Sequence, residues 1–349
     1  MSKHALNPKA VSGYAKAGLK ALKKYGVHHL SKSSADNLLE CANKFHLKSQ
    51  YTTASTRMTL GTICHSVIEA AVDALVPYSK DFDKLDGEKF ARFIADYPDF
   101  RTATLAKMDL HAELVDAATK AVDALANSSK EVLFAEGADI KTFSTEIYSH
   151  IETLSKSLTK EHLGIVLNYP VIASEFPVVY VPEETDAGMP QIPYLGYIDI
   201  LKLGPDGRFI VSDLKTTFSA NQGIWQSKMT KFQLWLYAKS LIQLGLTDVM
   251  PNVDITRVTI DLGTRRKVKP TKYKVVVERG VLDNIENYDD KFDDIIAFAQ
   301  RMIANDIEIF AHSQYGCASC DYRPVCDQAV VQDDWHIVQE GGEDDSSKS

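Results

Sequence analysis

The sequence lacks the features that mark membrane and secreted proteins. It has no uninterrupted run of about 18 apolar residues, so no membrane span and no membrane partner are expected. The N-terminal stretch MSKHALNPKAVSGYAKAGLK has no apolar segment of the kind found in signal peptides. We therefore expect a reducing cytoplasm, that of a bacterium, an archaeon or a virus-infected host cell.

Cysteine is scarce, and its five positions are unevenly spread. An odd number of cysteines in a cytoplasmic chain argues against a disulfide framework. Cys317, Cys320 and Cys326 form a C-x2-C-x5-C pattern in GCASCDYRPVC, and Cys41 lies far upstream in SSADNLLECANKF. Thiolates bind zinc and iron–sulfur clusters, so this set indicates a metal site. Cys64 stands in an apolar helical pattern and is predicted to be a small core residue.

Positive charge is not in excess, because the net charge is −8. Lysines nevertheless crowd the first fifty residues, a second basic run, RRKVKPTKYK, covers 265–274, and acid collects in the tail EGGEDDSSKS. Local patches rather than the total decide whether a protein binds phosphate. A nucleic-acid partner therefore stays open, and ordinary solvated surface is the alternative.

The predicted secondary structure changes from helices to mixed helices and strands after about residue 168. We divide it into a basic helical N-terminal segment (1–58), a helical region (59–168), a core (169–310), a cysteine-rich region (311–337) and a disordered acidic tail (338–349). Strands are predicted in VIASEFPVVYV, VDITRVTIDL and KYKVVVE, with a helix over KFQLWLYAKSLIQLG that ends at Gly245. The pattern predicts an α/β fold with a mixed central sheet flanked by helices.

The stretch GYIDILKLGPDGRFIVSDLKTT predicts a β-hairpin. GPDG suits a three-residue loop, with Gly207 in the left-handed conformation of a G1 bulge. The resulting register pairs Gly204 with Arg208, Leu203 with Phe209, Leu201 with Val211, Asp199 with Asp213 and Tyr197 with Lys215. Two acids and a lysine would then share one end of one face.

Two carboxylates side by side repel each other unless a cation lies between them. Oxygen ligands suit Mg²⁺ or Mn²⁺, and Lys215 would lie beside that ion. The hairpin therefore predicts a metal-dependent phosphodiester hydrolysis site. An exposed, ion-paired sheet edge is the alternative, and another turn type would shift the register and separate Asp199 from Asp213.

Other polar residues stand at helical or strand positions around this hairpin. Glu175 lies in the preceding strand, and His65 lies on a helix with Gly61 and Glu69 one turn to either side. Taken alone, such a histidine is most often a satisfied core residue. Gln233 and Tyr237, four residues apart on the later helix, would by themselves be a core rim.

In this order the pieces resemble the PD-(D/E)xK nuclease superfamily, and within it the RecB-like branch. The matching motifs are GxxxHxxxE from Gly61 to Glu69, the strand residue Glu175, GYID from Gly196 to Asp199, DLK from Asp213 to Lys215 and QxxxY from Gln233 to Tyr237. They span most of the chain. The resemblance implies a restriction-endonuclease-like fold with a helical N-terminal or inserted region.

The resemblance also implies a divalent metal site for Mg²⁺ or Mn²⁺. His65, Asp199 and Asp213 would be its ligands, and the backbone carbonyl of Leu214 would assist them.

The remaining motif residues would act around that site. Lys215 would orient or activate the attacking water, and Glu175 would support the metal through a second carboxylate or a water. Gln233 and Tyr237 would brace the site and contact the DNA backbone. Glu69 would support His65 or make a helix contact.

The cysteines resemble those of the iron–sulfur nucleases, namely the CRISPR-associated RecB-like exonucleases and AddB-type subunits. In these proteins a [4Fe–4S] cluster joins the two ends of the nuclease core. The resemblance implies that Cys41, Cys317, Cys320 and Cys326 hold such a cluster as a structural staple. Zinc and plain buried thiols are the alternatives.

The expected function is hydrolysis of DNA phosphodiesters. We expect the protein to be an exonuclease that acts on single strands or DNA ends in recombination, repair or replication. The alternatives are the nuclease subunit of a helicase–nuclease complex, with a helicase or recombinase partner, and an inactive DNA-binding iron–sulfur protein. The chain has no GxxxxGK[ST] motif, so any helicase motor would be another protein. The basic side chains expected to contact DNA are Lys228, Lys231, Arg265, Arg266 and Lys267.

Overall fold

The structure is a computed structural model. It describes residues 30–31, 41–134, 138–182, 192–218, 228–262, 271–282, 285–304, 317 and 320–326. The predicted acidic tail and the residues Arg265, Arg266 and Lys267 lie outside these ranges.

The strands form two sheets. A small parallel pair consists of β1 (Tyr51–Ala54) and β2 (Glu131–Phe134). The strands of the main sheet are β3 (Val171–Tyr180), β4 (Tyr194–Leu203), β5 (Phe209–Thr217), β6 (Asn252–Asp261) and β7 (Lys274–Leu282). They lie side by side in chain order, with β5 and β6 parallel and the other neighbours antiparallel. The predicted mixed central sheet is confirmed.

Helices cover both faces of this sheet. Those of the described chain are α1 (Ala42–Gln50), α2 (Thr56–Leu75), α3 (Gly87–Ala106), α4 (Leu110–Ala126), α5 (Ile140–Leu154), α6 (Lys160–Val166), α7 (Lys228–Gln243) and α8 (Asp289–Ala304). Helix α7 ends as predicted, because Gly245 has φ +68° and Leu246 N–H donates to the Leu241 carbonyl. The predicted helical stretches before 168 are not purely helical, since β1 and β2 interrupt them.

Each face of the sheet has its own hydrophobic core. On one face α7 and α8 pack against alternate residues of the strands, with Phe232, Trp235 and Phe292 at the centre. On the other face α2, α4 and α5 pack against residues such as Ile200 and Leu214. The sheet is therefore the rigid middle layer of the molecule.

Helix α2 is the central helix of the second core. Its buried side is apolar and includes Ile63, Val67 and Leu75, and Cys64 is buried there as predicted. Burial raises the pKa of the Cys64 thiol to about 12, which keeps it protonated. The stretch Thr56–Lys84 is long and apolar enough to cross a membrane, but half of its apolar window is buried inside the fold. We interpret it as a core helix.

The sheet also buries an ionic network on its α2 face. Lys202 is fully buried, donates to Ser212 Oγ at 2.9 Å and lies 3.6 Å from Asp254 Oδ2. Arg279 donates to the same Asp254 oxygen at 2.5 Å and lies over the ring of Tyr169. The network connects β4, β6 and β7 across β5. A buried lysine of this kind is tolerated because it has an anionic partner.

Candidate active site

The hairpin forms the predicted turn but only part of the predicted ladder. Gly207 has φ +78°, its N–H donates to the Gly204 carbonyl, and Gly204 N–H donates to Arg208 at 2.8 Å. The pairs Leu203–Phe209 and Leu201–Val211 form as predicted, and the β4–β5 ladder then ends at Ile200–Ser212.

The predicted pairs Asp199–Asp213 and Tyr197–Lys215 are therefore wrong, because the strands separate before reaching them. The Asp199 carboxylate replaces the next backbone partner and accepts the Leu214 N–H at 2.6 Å. Near the start of β4, the backbone partner is Leu30 instead of β5. The Leu30 carbonyl accepts the Leu195 N–H at 2.8 Å. The acids nevertheless meet, at a fork in the sheet rather than on a regular ladder.

A chain of polar contacts runs from β5 to α7. Lys215 Nζ lies 2.9 Å from both carboxylate oxygens of Asp213 and donates to Gln233 Oε1 at 3.1 Å. Gln233 Nε2 in turn donates to the Tyr237 hydroxyl at 3.0 Å. Asp213 and Gln233 are buried, and Lys215 is partly exposed. The four predicted motif residues thus form one connected unit.

Gly196 explains why β4 can accept Tyr237. A Cβ atom added to Gly196 would lie 3.1 Å from Tyr237 Cζ and 3.1 Å from its hydroxyl oxygen, with Cε1 closer still. The tyrosine ring therefore packs directly on the strand backbone, which only glycine permits here. This contact brings the Tyr237 hydroxyl near Asp199 and Asp213, whose charges, together with the larger effect of burial, raise the pKa of Tyr237.

The two aspartates strongly influence each other. Burial, followed by the charge of Asp213, raises the pKa of Asp199 well above its usual range, although Lys215 and the Leu214 N–H oppose the shift. Asp213 Oδ2 is buried and lacks a well-aligned hydrogen bond, despite its proximity to Lys215. The fork therefore concentrates negative charge that a further cation would stabilise.

His65 reaches the same place from α2. Burial lowers the pKa of His65, against the opposing effects of the Asp213 charge and the Leu214 backbone carbonyl. The imidazole is therefore neutral near pH 7, as a metal ligand must be. Gly61 lies one turn earlier, where α2 passes close to Thr216, since a Cβ at Gly61 would lie 3.8 Å from Thr216 Cβ.

Glu175 lies on β3, the strand that pairs with β4 beside this group. The pairs Ser174–Ile200 and Phe176–Ile198 flank it, so the register places Glu175 opposite Asp199. It has φ +41°, a left-handed conformation that costs a non-glycine residue of order 1–3 kcal/mol. Burial, and then the charge of Glu69, raise the pKa of Glu175. The backbone thus turns this carboxylate out of the regular strand pattern.

A cleft of about 660 Å³ opens between α2 and the fork. One wall consists of α2 residues spaced by three or four positions, and the other comes from β3, β5 and the residue after β5. Its lining residues are Arg57, Met58, Gly61, Thr62, His65, Ser66, Glu69, Glu175, Leu214, Lys215, Thr216 and Phe218. The motif reasoning missed Arg57, although its spacing of four from Gly61 continues the series of Gly61, His65 and Glu69.

Comparison with known proteins shows the family of the chain. The model of the PD-(D/E)XK nuclease superfamily matches residues 29–327. The chain belongs to the PD-(D/E)XK nuclease superfamily. Its members are phosphodiesterases that act on nucleic acid and typically use a divalent metal.

Solved structures resemble the chain only distantly. A provisionally named exonuclease from Eubacterium rectale has 12% identity and a TM-score of 0.37, with 84% of this chain and 87% of that chain covered. The protein SSO0001 has 17% identity and a TM-score of 0.29, with 55% and 76% covered. No curated protein matches the sequence.

The residues of this PD-(D/E)XK fork fit a divalent cation in their chemistry. Carboxylates, a neutral imidazole and a backbone carbonyl are ligands for Mg²⁺ or Mn²⁺, and the buried Asp213 Oδ2 lacks a well-aligned partner. Within the described residues, however, no three His, Cys, Asp or Glu side chains form a ready ligand cage. Asp213 pairs with Lys215, and Asp199 accepts the Leu214 N–H. A bound cation would compete with both contacts.

The segment after Cys41 lies beside the segment that carries Cys320 and Cys326. Asn43 Nδ2 donates to Cys326 Sγ at 3.1 Å, and Lys44 influences the pKa of Cys320. Cys41, Cys317, Cys320 and Cys326 are all free thiols with partial exposure. Thiols are the ligand type that a metal cluster needs. Within the described residues, however, these four do not form a closed ligand set.

The structure separates one expected DNA contact from the cleft. Lys231 donates to the Tyr288 hydroxyl at 3.0 Å and lies over its ring, so it ties α7 to the turn before α8. Lys228 begins α7, but its side chain lies outside the described part of the structure.

Proposed function

We propose that this protein is a Mg²⁺- or Mn²⁺-dependent deoxyribonuclease, an exonuclease that acts on single strands or DNA ends in recombination, repair or replication. Family membership gives the reaction class, phosphodiester hydrolysis. The observation that carries the proposal is the Asp213–Lys215 pair at the fork, joined to Asp199 through Leu214 and facing His65 across an open cleft.

The proposed reaction assigns a task to each side chain. His65, Asp199 and Asp213 would hold the cation, with the Leu214 carbonyl. Once bound, such a cation polarises the scissile phosphate and lowers the pKa of a bound water.

The rest of the work falls to Lys215 and its supports. Asp213 and the oxygen of the Gln233 amide hold the ammonium of Lys215 at the cleft, where it faces the incoming phosphate oxygens and the attacking water. Tyr237 fixes the orientation of that amide through its hydroxyl. Positioning of this kind lowers the barrier because the charged groups need no rearrangement during the reaction.

We propose further that Cys41, Cys317, Cys320 and Cys326 hold a [4Fe–4S] cluster that staples the two ends of the chain. Zinc is the less favoured occupant. The proximity of Asn43 to Cys326 supports the staple, because it places the segment after Cys41 beside the last cysteine. Hydrolysis needs no electrons, so the cluster has a structural role.

A nuclease subunit serving a separate helicase or recombinase uses the same site and is the second version of the proposal. An inactive DNA-binding protein is disfavoured, because Asp199, Asp213 and Lys215 are all present and in contact with the fork. The proposed location is the cytoplasm.

The decisive experiment incubates end-labelled single- and double-stranded DNA with the protein and Mn²⁺, and follows product lengths over time. We expect Asp213→Asn to reduce degradation by at least about 10³-fold, because it removes a ligand charge and the partner of Lys215. Asp116→Asn is the matched control, since Asp116 forms an exposed pair with Lys120 and does not line the cleft. Equal degradation by Asp213→Asn and the parent protein would overturn the assignment.

A further inference from the structure

One side of α2 lines the cleft with a row of residues that has a cation at one end and an acid at the other. Arg57, Gly61, His65 and Glu69 follow each other at intervals of four residues and all line the cleft. With a rise of 1.5 Å per residue, Arg57 lies ~12 Å before His65 along the helix, and Glu69 lies ~6 Å beyond it. The row therefore runs from a cation, past the candidate metal ligand, to an acid.

The two ends of the cleft differ in charge. Glu69 and Glu175 lie close enough at one end for the charge of Glu69 to raise the pKa of Glu175. At the other end Arg57 is exposed, and its guanidinium has no hydrogen bond or ion pair among the described contacts. Beside it, Glu146 of α5 accepts the Thr56 hydroxyl at 2.8 Å. A polyanion is thus repelled from one end and attracted to the other.

We propose that Arg57 binds a backbone phosphate of the substrate strand, on the side of His65 away from Glu69. This inference rests on the proposed nuclease function, because it takes the scissile phosphate to lie at the fork. A stacked strand advances ~3.4 Å per nucleotide, so the contacted phosphate lies up to about four nucleotides from the scissile one. Arg57 therefore holds the strand along α2 on that side of His65.

Arginine suits this task better than a generic positive charge. Its planar guanidinium donates two parallel hydrogen bonds to phosphate oxygens, whereas a lysine offers a point charge. The contact lies outside the reacting atoms, so it binds substrate and transition state equally. It should therefore affect KM and leave kcat unchanged.

The first test measures binding without hydrolysis. A fluorescent single-stranded oligonucleotide is titrated with Arg57→Gln, Arg57→Lys and parent protein in EDTA at several salt concentrations. We expect Arg57→Gln to raise Kd about tenfold and to lower the slope of log K against log salt by ~0.7, the loss of one single-strand phosphate contact. Arg57→Lys should keep the slope while losing part of the affinity.

The second test locates the contact by chemistry. Oligonucleotides that carry one neutral methylphosphonate at successive positions are digested with Mn²⁺ and the products are sized. In the parent protein, one substitution should slow cleavage of a linkage at a fixed offset of up to about four nucleotides. In Arg57→Gln this offset effect should disappear, while KM rises and kcat stays the same.

Arg92→Gln is the matched control, because Arg92 is an exposed arginine paired with Asp96 on α3 and does not line the cleft. If Arg57→Gln matches Arg92→Gln in Kd, salt slope and offset pattern, the proposal is overturned. If no metal supports hydrolysis but Arg57→Gln still weakens binding, the phosphate contact stands and the nuclease function fails instead. Thermal unfolding confirms that each variant folds.

Discussion

At the scale of single residues, the site depends on two positions with unusual backbone geometry. Glu175 has a positive φ in the middle of a strand. Gly196 lacks a side chain, and the Tyr237 ring therefore packs against its backbone. Both residues belong to sequence motifs, but only the structure shows the backbone geometry at these positions. Strained backbone persists only where the surrounding structure holds it, and such positions cluster where a protein binds or reacts.

Gly196→Ala tests the close approach. The added methyl group would collide with the Tyr237 ring, so we expect a loss of about 1–3 kcal/mol in the free energy of unfolding and a displaced Gln233–Tyr237 contact. Nuclease activity should fall with it, because Gln233 positions Lys215. Urea denaturation and rate measurements on the same preparations check both effects.

Gly164→Ala provides the comparison. Gly164 lies in α6, and an added Cβ would meet only the Arg101 side chain at 3.8 Å, an ordinary contact. This variant should be as stable as the parent or gain up to about 1 kcal/mol, because alanine favours a helix over glycine. A loss at Gly164 equal to that at Gly196 would show that the Tyr237 contact is not the cause.

At the scale of elements, local chemistry predicted more than distant contacts did. The turn from Gly204 to Arg208 and the first pairs of the hairpin were predictable, because loop length and glycine placement fix the register nearby. The fork beyond Ile200 was not, since it requires the distant Leu30 and the side chain of Asp199. Likewise β1 and β2 are four residues each and pair across 80 positions, so no local pattern reveals them.

The candidate site divides in the same way. Ordered motifs led to His65, Asp213 and Lys215, which the structure brings together. Arg57 was missed because a lone arginine in a helix is not informative until a cleft is visible beside it. Lys202 was visible as a charge within ILKL, but its partner Asp254 belongs to a strand that the hairpin register alone does not place.

Lys202→Met tests the buried network that joins the strands. Burial lowers the pKa of Lys202 from 10.5 to about 8, although Asp254 opposes the shift. Between these values the unfolded chain binds a proton that the folded chain has released, so the free energy of unfolding rises with pH. We expect the parent protein to gain about 2 kcal/mol relative to Lys202→Met between pH 8 and 10.

The variant isolates this effect because tyrosines, cysteines and other lysines titrate in both proteins. Asp254, which faces Lys202, has a lowered pKa and keeps its charge across the range. Urea denaturation at several pH values gives the difference directly. Parallel pH curves for the two proteins would mean that Lys202 stays protonated in the folded state.

At the scale of the whole molecule, the first and last described segments both contact the rest of the fold. Asn43 contacts Cys326, and Leu30 pairs with the first half of β4 at the edge of the fork. Residues before the sheet thus complete the site that the sheet carries. Any constraint that holds the ends should therefore stabilise both the fold and the fork.

The proposed cluster gives this idea a measurable form. Anaerobically purified protein should contain about four iron and four sulfide per chain, whereas zinc near one per chain would indicate the alternative occupant. Cys326→Ser should lose the metal and lower the free energy of unfolding by up to ~5 kcal/mol, the closure entropy of so long a loop. Cys64→Ala is the matched control, because Cys64 is buried in the α2 core and should leave the metal content unchanged. A parent protein with neither iron nor zinc, or Cys326→Ser with full metal content, would show that Cys326 does not take part in a staple and that packing alone holds the ends together.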